Sequence, residues 1–242
     1  MSFILFYILT FICEIVGTIG GFGSSIYFVA VASLFFDFRL VLGITAFMHV
    51  FSNLAKLVMF YKHIDFKLIL KIGIPSTIFV IVGALLTKYI SFIHFDLLLG
   101  IFLIAISIAF ILFEKFSFEP NNINSITLGS ISGFAAGIMG TGGAIRGLLL
   151  ISMNLEKSIL VATSAGIDMM VDLSRSVVYY SEGYVPNEMW IHLPFLIAAS
   201  FAGTYLGKLI LDKIPQEKFK KYVLILIAVI GAINLAYHFY KA

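Results

Sequence analysis

The sequence predicts an all-α polytopic membrane protein built as two inverted repeats, and three observations carry that prediction. The first is composition. Of 242 residues, 61% are hydrophobic and 12% charged, and the mean hydropathy is +1.07. A soluble globular chain averages about 45–50% apolar and about 25% charged residues, so half the usual charge is missing. A disordered tail, a secreted disulfide scaffold and a soluble enzyme domain are excluded together. The second is length. Apolar stretches of about 20 residues, enough for a helix to cross about 30 Å of hydrocarbon, recur along the chain. The third is an internal duplication in which each half opens on a glycine-broken stretch.

The elements follow in chain order. The start, Met-Ser-Phe-Ile-Leu-Phe-Tyr, has no basic region and its apolar run outlasts a signal peptide, so no cleavable leader is expected. Stretch 3–36 would reach about 50 Å as one straight helix, well beyond the membrane. Glycines interrupt it at Gly17-Thr-Ile-Gly-Gly-Phe-Gly23, leaving pieces of about 13–14 residues, the length of half-helices. The expectation is a re-entrant hairpin turning at the midplane. One long, kinked span is the alternative, which would make eight full spans in all. Full-length spans are expected at 40–61, 67–90 and 95–113. The second half repeats the plan: a broken stretch at 123–155 around Gly137-Ile-Met-Gly-Thr-Gly-Gly143, then spans at 157–181, 187–211 and 218–240.

Loop charge favours the re-entrant reading, because Lys and Arg collect on the cytoplasmic side. With eight crossings, Arg39, Lys88, Lys157, Lys208, Lys213, Lys218, Lys220 and Lys221 face Lys62, Lys67, Lys71, Lys115 and Lys241. With six crossings, only Arg39, Lys88 and Lys241 remain outside, together with both termini. The duplication is in register. A shift of 120 lays Gly17, Gly20 and Gly23 on Gly137, Gly140 and Gly143, and Gly83 and Lys88 on Gly203 and Lys208. A shift of 119 matches Tyr61 to Tyr180 and Pro75 to Pro194, and sets Asn53 and Lys56 on Asp172 and Arg175. The first repeat is read as 1–116, the linker as 117–124 around Glu119-Pro-Asn-Asn, and the second repeat as 125–242. Inverted repeats with broken helices meeting at the midplane are a recurrent plan of secondary transporters.

Two sets of residues could carry chemistry. Unwound backbone deep in a membrane survives only where it is buried in protein or lines a cavity. A half-helix starting there aims free N–H groups and its positive dipole end at an anion. Gly20, Gly21, Gly23, Ser24 and Ser25, and Gly140, Thr141, Gly142, Gly143 and Ala144, are therefore candidate anion ligands. Close helix packing on small residues is the alternative use of these glycines. The second set is ionisable or polar side chains inside spans: Glu14, His49, Asn53, Lys56, Arg146, Asp168, Asp172 and Arg175. Such groups are expensive in a bilayer and by default functional. Asp168, Asp172 and Arg175 share one helix face, and His49, Asn53 and Lys56 repeat that spacing, so the two faces are expected to look at each other.

Arg146 could bind a sulfonate or carboxylate bidentately, or pair with Glu14, Asp168 or Asp172. The three acids Glu14, Asp168 and Asp172 balance the three bases Lys56, Arg146 and Arg175, as structural ion pairs would. Lys56 and Arg175, six residues from their helix ends, could instead snorkel to the surface. Asp168 is the best-placed proton carrier by depth, ahead of Asp172, Glu14 and His49. His192 and His238 are expected at the interface, and Trp190 with Tyr184 in an aromatic belt. The lone Cys13 forms no internal disulfide and has no metal-spaced neighbours. No cofactor, nucleic-acid patch or catalytic motif is readable. The partners expected are the bilayer, a small anion and a coupling proton, with homo-oligomerisation left open.

The paired glycine segments, Thr45 and Thr163–Ser164, the Tyr61…Asp65 and Tyr180…Gly183-Tyr-Val turns, the Pro75 and Pro194 helices ending in Gly83-Ala-Leu-Leu and Gly203-Thr-Tyr-Leu-Gly, and Ile214-Pro-Gln-Glu-Lys-Phe-Lys-Lys resemble the TauE/SafE sulfite exporter family over essentially the whole chain. The resemblance implies a two-halved permease moving sulfur-containing or related organic anions across the cytoplasmic membrane of a bacterium or archaeon. Arg146 is an addition to the family's pattern, and neither glycine segment carries the family's third consecutive glycine or following proline. An anion channel on the same site, or a membrane subunit without transport of its own, are the alternatives.

Overall fold

A computed structural model describes residues 3–21, 23–33, 35–90, 121–153 and 155–215, with scattered residues in 100–108 and 225–236. Most of the expected spans 218–240 and 95–113 and the first part of the linker lie outside the described residues. Within them the chain is helical and holds no strand: α1 Phe3–Gly20, α2 Ser25–Ala32, α3 Phe38–Met59, α4 Phe66–Leu86, α5 Asn122–Met139, α6 Gly143–Ser152, α7 Lys157–Ser181 and α8 Leu193–Lys213. Polar side chains start several of them. Asp37, Asp65 and Asn121 accept from the backbone N–H of Arg39, Leu68 and Asn124, satisfying donors that a helix leaves free at its start. Phe3–Gly20, Phe38–Met59, Phe66–Tyr89 and Asn187–Lys213 are long and apolar enough to cross a membrane. The chain is a multi-pass, all-α membrane protein.

Both glycine-broken stretches reverse direction. A methyl group at Gly17 would lie 2.6 Å from the Ser24 nitrogen, although seven residues of continuous helix would separate them by about 10 Å. Further along, the Phe6 ring stands 5.5 Å from Phe28 and 4.9 Å from Phe36, so the chain returns to the level where α1 began. In the second half, Gly140 ends α5 in the left-handed conformation (φ 73). The Ser132 hydroxyl then donates to the Gly142 carbonyl at 2.9 Å, where a straight helix would have moved on by about 15 Å.

The limbs of these hairpins are unequal. They run 18 and 8 residues in the first and 18 and 10 in the second, not two pieces of about 13–14. The reason is close packing along the long limbs. A methyl at Gly137 would come within 2.6 Å of the Ala84 nitrogen, and one at Gly83 within 2.6 Å of the Phe134 carbonyl. Gly203 and Gly207 press on the Phe11 and Ile15 carbonyls in the same way. Hence α5 lies parallel to α4, and α1 parallel to α8, as small-residue seams allow. These glycines prolong a helix instead of breaking it.

The hairpins open at opposite ends of the bundle. At one end, Arg39 donates to the Lys88 carbonyl at 3.4 Å, Lys88 pairs with Glu182 at 3.2 Å, and Tyr7 meets His192 at 2.6 Å. Both feet of the α1–α2 hairpin stand there. At the other end Lys157, just after α6, donates to the Leu211 and Ile214 carbonyls at 2.7 and 2.8 Å, and Lys208 lies over the Phe60 ring. The packing is reciprocal: α4 on α5 is matched by α8 on α1, α4 on α7 by α8 on α3, while α3 faces α7 and α2 touches α6. Tyr184 departs from its expected belt position. It is buried, bonded to Thr87 at 2.8 Å and stacked on Tyr179.

Candidate functional site

The polar faces of α3 and α7 meet in the interior. Asn53 donates to Asp172 at 2.7 Å across the two halves. Around this contact the charged groups pair one to one. Glu14 Oε2 accepts from Ser52 at 2.6 Å and from Lys56 at 3.1 Å, and its Oε1 faces His49 Nε2 at 3.4 Å. Arg175 holds Asp172 Oδ1 through Nε at 2.7 Å and turns Nη1 to the Gly140 carbonyl at 2.7 Å. Arg146 is bound to Asp168 Oδ1.

Burial decides the fate of the two cations near helix ends. Lys56 is 2% and Arg175 1% exposed, so neither snorkels. Each instead ties its helix to the long limb of a hairpin, Lys56 to α1 and Arg175 to α5. Each has found a buried partner, which spares the cost of carrying an unpaired charge out of water. Arg146, 1% exposed, is likewise paired, with Asp168 out of the three acids available to it.

Between the first hairpin turn, α3 and α7 lies a narrow pocket, closed in this conformation to anything the size of a water molecule and lined by Gly21 and Gly23, Asn53 and Lys56, and Ser164 and Asp168. Two of its polar atoms, Asp168 Oδ2 and Ser164 Oγ, are buried without a protein partner. Buried polar atoms are almost always hydrogen-bonded, so these two are open to a further partner. Gly21 (φ 73) and Gly23 (φ 88) adopt backbone that other residues resist. At Gly23 there is also no room: a methyl would stand 3.0 Å from Asp168 Oδ2. The helix α2 starts two residues later, with its first N–H groups unpaired by the helix itself.

The predicted site residues therefore separate. Gly21, Gly23, Asn53, Lys56 and Asp168 line the pocket. Ser25 and Thr141 join the two turns instead, their hydroxyls 3.4 Å apart. Gly20 sits against the Tyr27 hydroxyl, and the buried Ser24 hydroxyl has no partner. Gly140 and Gly142 offer their carbonyls to Arg175 and Ser132, and Gly143 starts α6. Glu14, His49, Asp172 and Arg175 stand behind the pocket, and Arg146 reaches it through Asp168. Sequence reasoning on chemistry passed over Ser52, Ser164 and Gly17. The serines had a signal: Ser52 lies four residues before Lys56 and Ser164 four before Asp168, on the same faces.

The sequence model of the family described as Sulfite exporter TauE/SafE matches residues 6–233. Two relatives align over nearly their whole length. A probable membrane transporter protein of Methanocaldococcus jannaschii is 26% identical, covering 96% of this chain and 93% of its own. One of Bacillus subtilis is 25% identical, covering 96% of each. No solved structure matches the chain.

Proposed function

The chain belongs to the sulfite exporter TauE/SafE family, and on that premise we propose a secondary transporter for small sulfur-containing or related organic anions, working by alternating access. The observation that carries this reading is geometric. Two hairpins open at opposite ends, and their turns meet, Ser25 on Thr141, beside a buried pocket with two partner-free polar atoms. Each hairpin is an obstruction seen from one side only. Rocking the halves about the meeting turns would open the pocket, now closed, first to one side and then to the other.

In this mechanism the anion sits against Gly21, Gly23 and the start of α2, where backbone donors and the helix dipole favour negative charge. Lys56 and Ser164 add donors. The Glu14–Lys56 and Asp172–Arg175 pairs keep α3 and α7 attached to the long limbs as they move. Asp168 is the candidate for proton coupling, because it alone of the three acids lines the pocket. Orientation follows from charge. Among the described residues Lys62, Lys67, Lys71, Lys157, Lys208 and Lys213 belong to one end of the bundle, against Arg39 and Lys88 at the other. The Lys-rich end is cytoplasmic on this rule, which leaves the α1–α2 hairpin's mouth and the start of α1 outside.

The test is counterflow in proteoliposomes. Unlabelled sulfite or a short sulfonate inside the vesicles should drive transient uptake of the labelled ion above equilibrium. Uptake that only equilibrates would make the protein a channel, and no uptake of any small anion would leave it a partner subunit.

A further inference from the structure

The pocket contains an acceptor that a bare oxyanion cannot satisfy. Asp168 lines the pocket, engages Arg146 through Oδ1, and keeps its Oδ2 buried and partner-free. An ionised carboxylate only accepts hydrogen bonds, and so does a fully deprotonated oxyanion. Bringing the two together would set acceptor against acceptor, at the cost of a buried unsatisfied polar pair. From this we infer that the site selects oxyanions that carry an acidic hydroxyl: the ligand's O–H donates to Asp168 Oδ2, while its remaining oxygens accept from Ser164, Lys56 and the turn. The inference rests on the proposed transport reading and gives that site its substrate class. On this account Asp168 serves proton coupling by holding the substrate's own hydroxyl proton.

The surrounding charges agree with a monoanion. Facing Asp168 are Arg146 of α6, Lys56 and His49 of α3 and Asp172 of its own helix, with Glu14 of α1 behind Lys56. With Arg175 on Asp172 the three acids and three bases of this cluster cancel, so each charge on the ligand is uncompensated except by helix α2's start. A single charge is the smaller burden. Binding sites built to hydrogen-bond a substrate hydroxyl discriminate strongly against analogues lacking it, commonly by 10⁴ or more.

The test uses two ligands of equal shape and charge. Methylphosphonate monoanion carries one hydroxyl, and methanesulfonate has a bare oxygen in its place. Each is titrated into the purified full-length protein at a mildly acidic pH where both are singly charged, and thermal stabilisation reports binding. Methylphosphonate should bind at least about 100-fold more tightly. Asp168→Asn, whose amide can donate to a bare oxygen, should abolish that preference. Equal binding of the two ligands to the wild type overturns the inference and leaves anion transport standing, as does a preference that survives Asp168→Asn. If neither ligand nor sulfite shifts a cooperative melt, the transport reading falls and this inference with it. Should Asp168→Asn fail to fold, the wild-type comparison alone decides.

Discussion

Lys56→Met tests whether the buried pairs hold the hairpins in place. Glu14 is fully buried, and its carboxylate rests on the Lys56 ammonium at 3.1 Å, the Ser52 hydroxyl at 2.6 Å and the His49 ring. Methionine fills the space of the lysine stem but removes the charge, leaving a buried carboxylate on neutral donors. Breaking one partner of a buried pair costs about 3–5 kcal/mol. Unfolding entropy of about 2.1 cal/mol/K per residue over the 242 residues gives about 0.5 kcal/mol/K, so the melting temperature should fall by about 6–10 °C. Glu14→Gln in the same chain removes the stranded charge and keeps an acceptor for Ser52. The double variant should therefore recover most of the loss, with a coupling of about 2–4 kcal/mol, far above the few tenths seen between independent sites. Differential scanning of the purified protein reads all four corners of the cycle. A fall below about 2 °C in Lys56→Met, or a double variant no more stable than the single, would refute the pairing.

Other outcomes follow from the same structure. Gly83→Ala puts a methyl 2.6 Å from the Phe134 carbonyl and should cost about 1–3 kcal/mol; an unchanged melting temperature would contradict the parallel α4–α5 seam. Tyr179→Phe removes the 2.6 Å bond to the Gly137 carbonyl and should cost about 1–3 kcal/mol by leaving that carbonyl unpaired while transport persists; lost transport at full stability would place Tyr179 in the mechanism. An impermeant thiol reagent should label a cysteine at Gly183 from outside intact cells and one at Lys62 only after lysis; the reverse pattern would invert the assigned orientation.

Much of the fold was legible because membrane crossing leaves a coarse record of length and charge. Helix α7 occupies Lys157–Ser181, the bounds expected from its apolar run between loop charges. The inward-facing polar stripes were readable too, since the positions of His49, Asn53 and Lys56 match those of Asp168, Asp172 and Arg175. Limb lengths were not. Glycine in a sequence does not say whether it turns the chain or brings two helices together. Here Gly21, Gly23 and Gly140 turn with positive φ, whereas Gly17 and Gly137 remain helical and serve as contact points. Partner choice was equally hidden, because Arg146 had three acids within plausible reach and only the reversal at Gly140–Gly142 delivers it to Asp168. Ser164 is an ordinary membrane-helix residue until the missing partner of its hydroxyl is seen. The pocket thus depends on which residues the reversal brings together, and local pattern cannot specify that.

The central claim is that the two hairpin turns meet and that transport works around their meeting. It is tested most directly by Ser25→Cys with Thr141→Cys in a chain whose Cys13 is replaced, since the native hydroxyls stand 3.4 Å apart, within reach of a disulfide. The account predicts that mild oxidation cross-links the folded protein and arrests counterflow, and that reduction restores it. A folded protein that does not cross-link, or a cross-linked one that transports at the reduced rate, would contradict it.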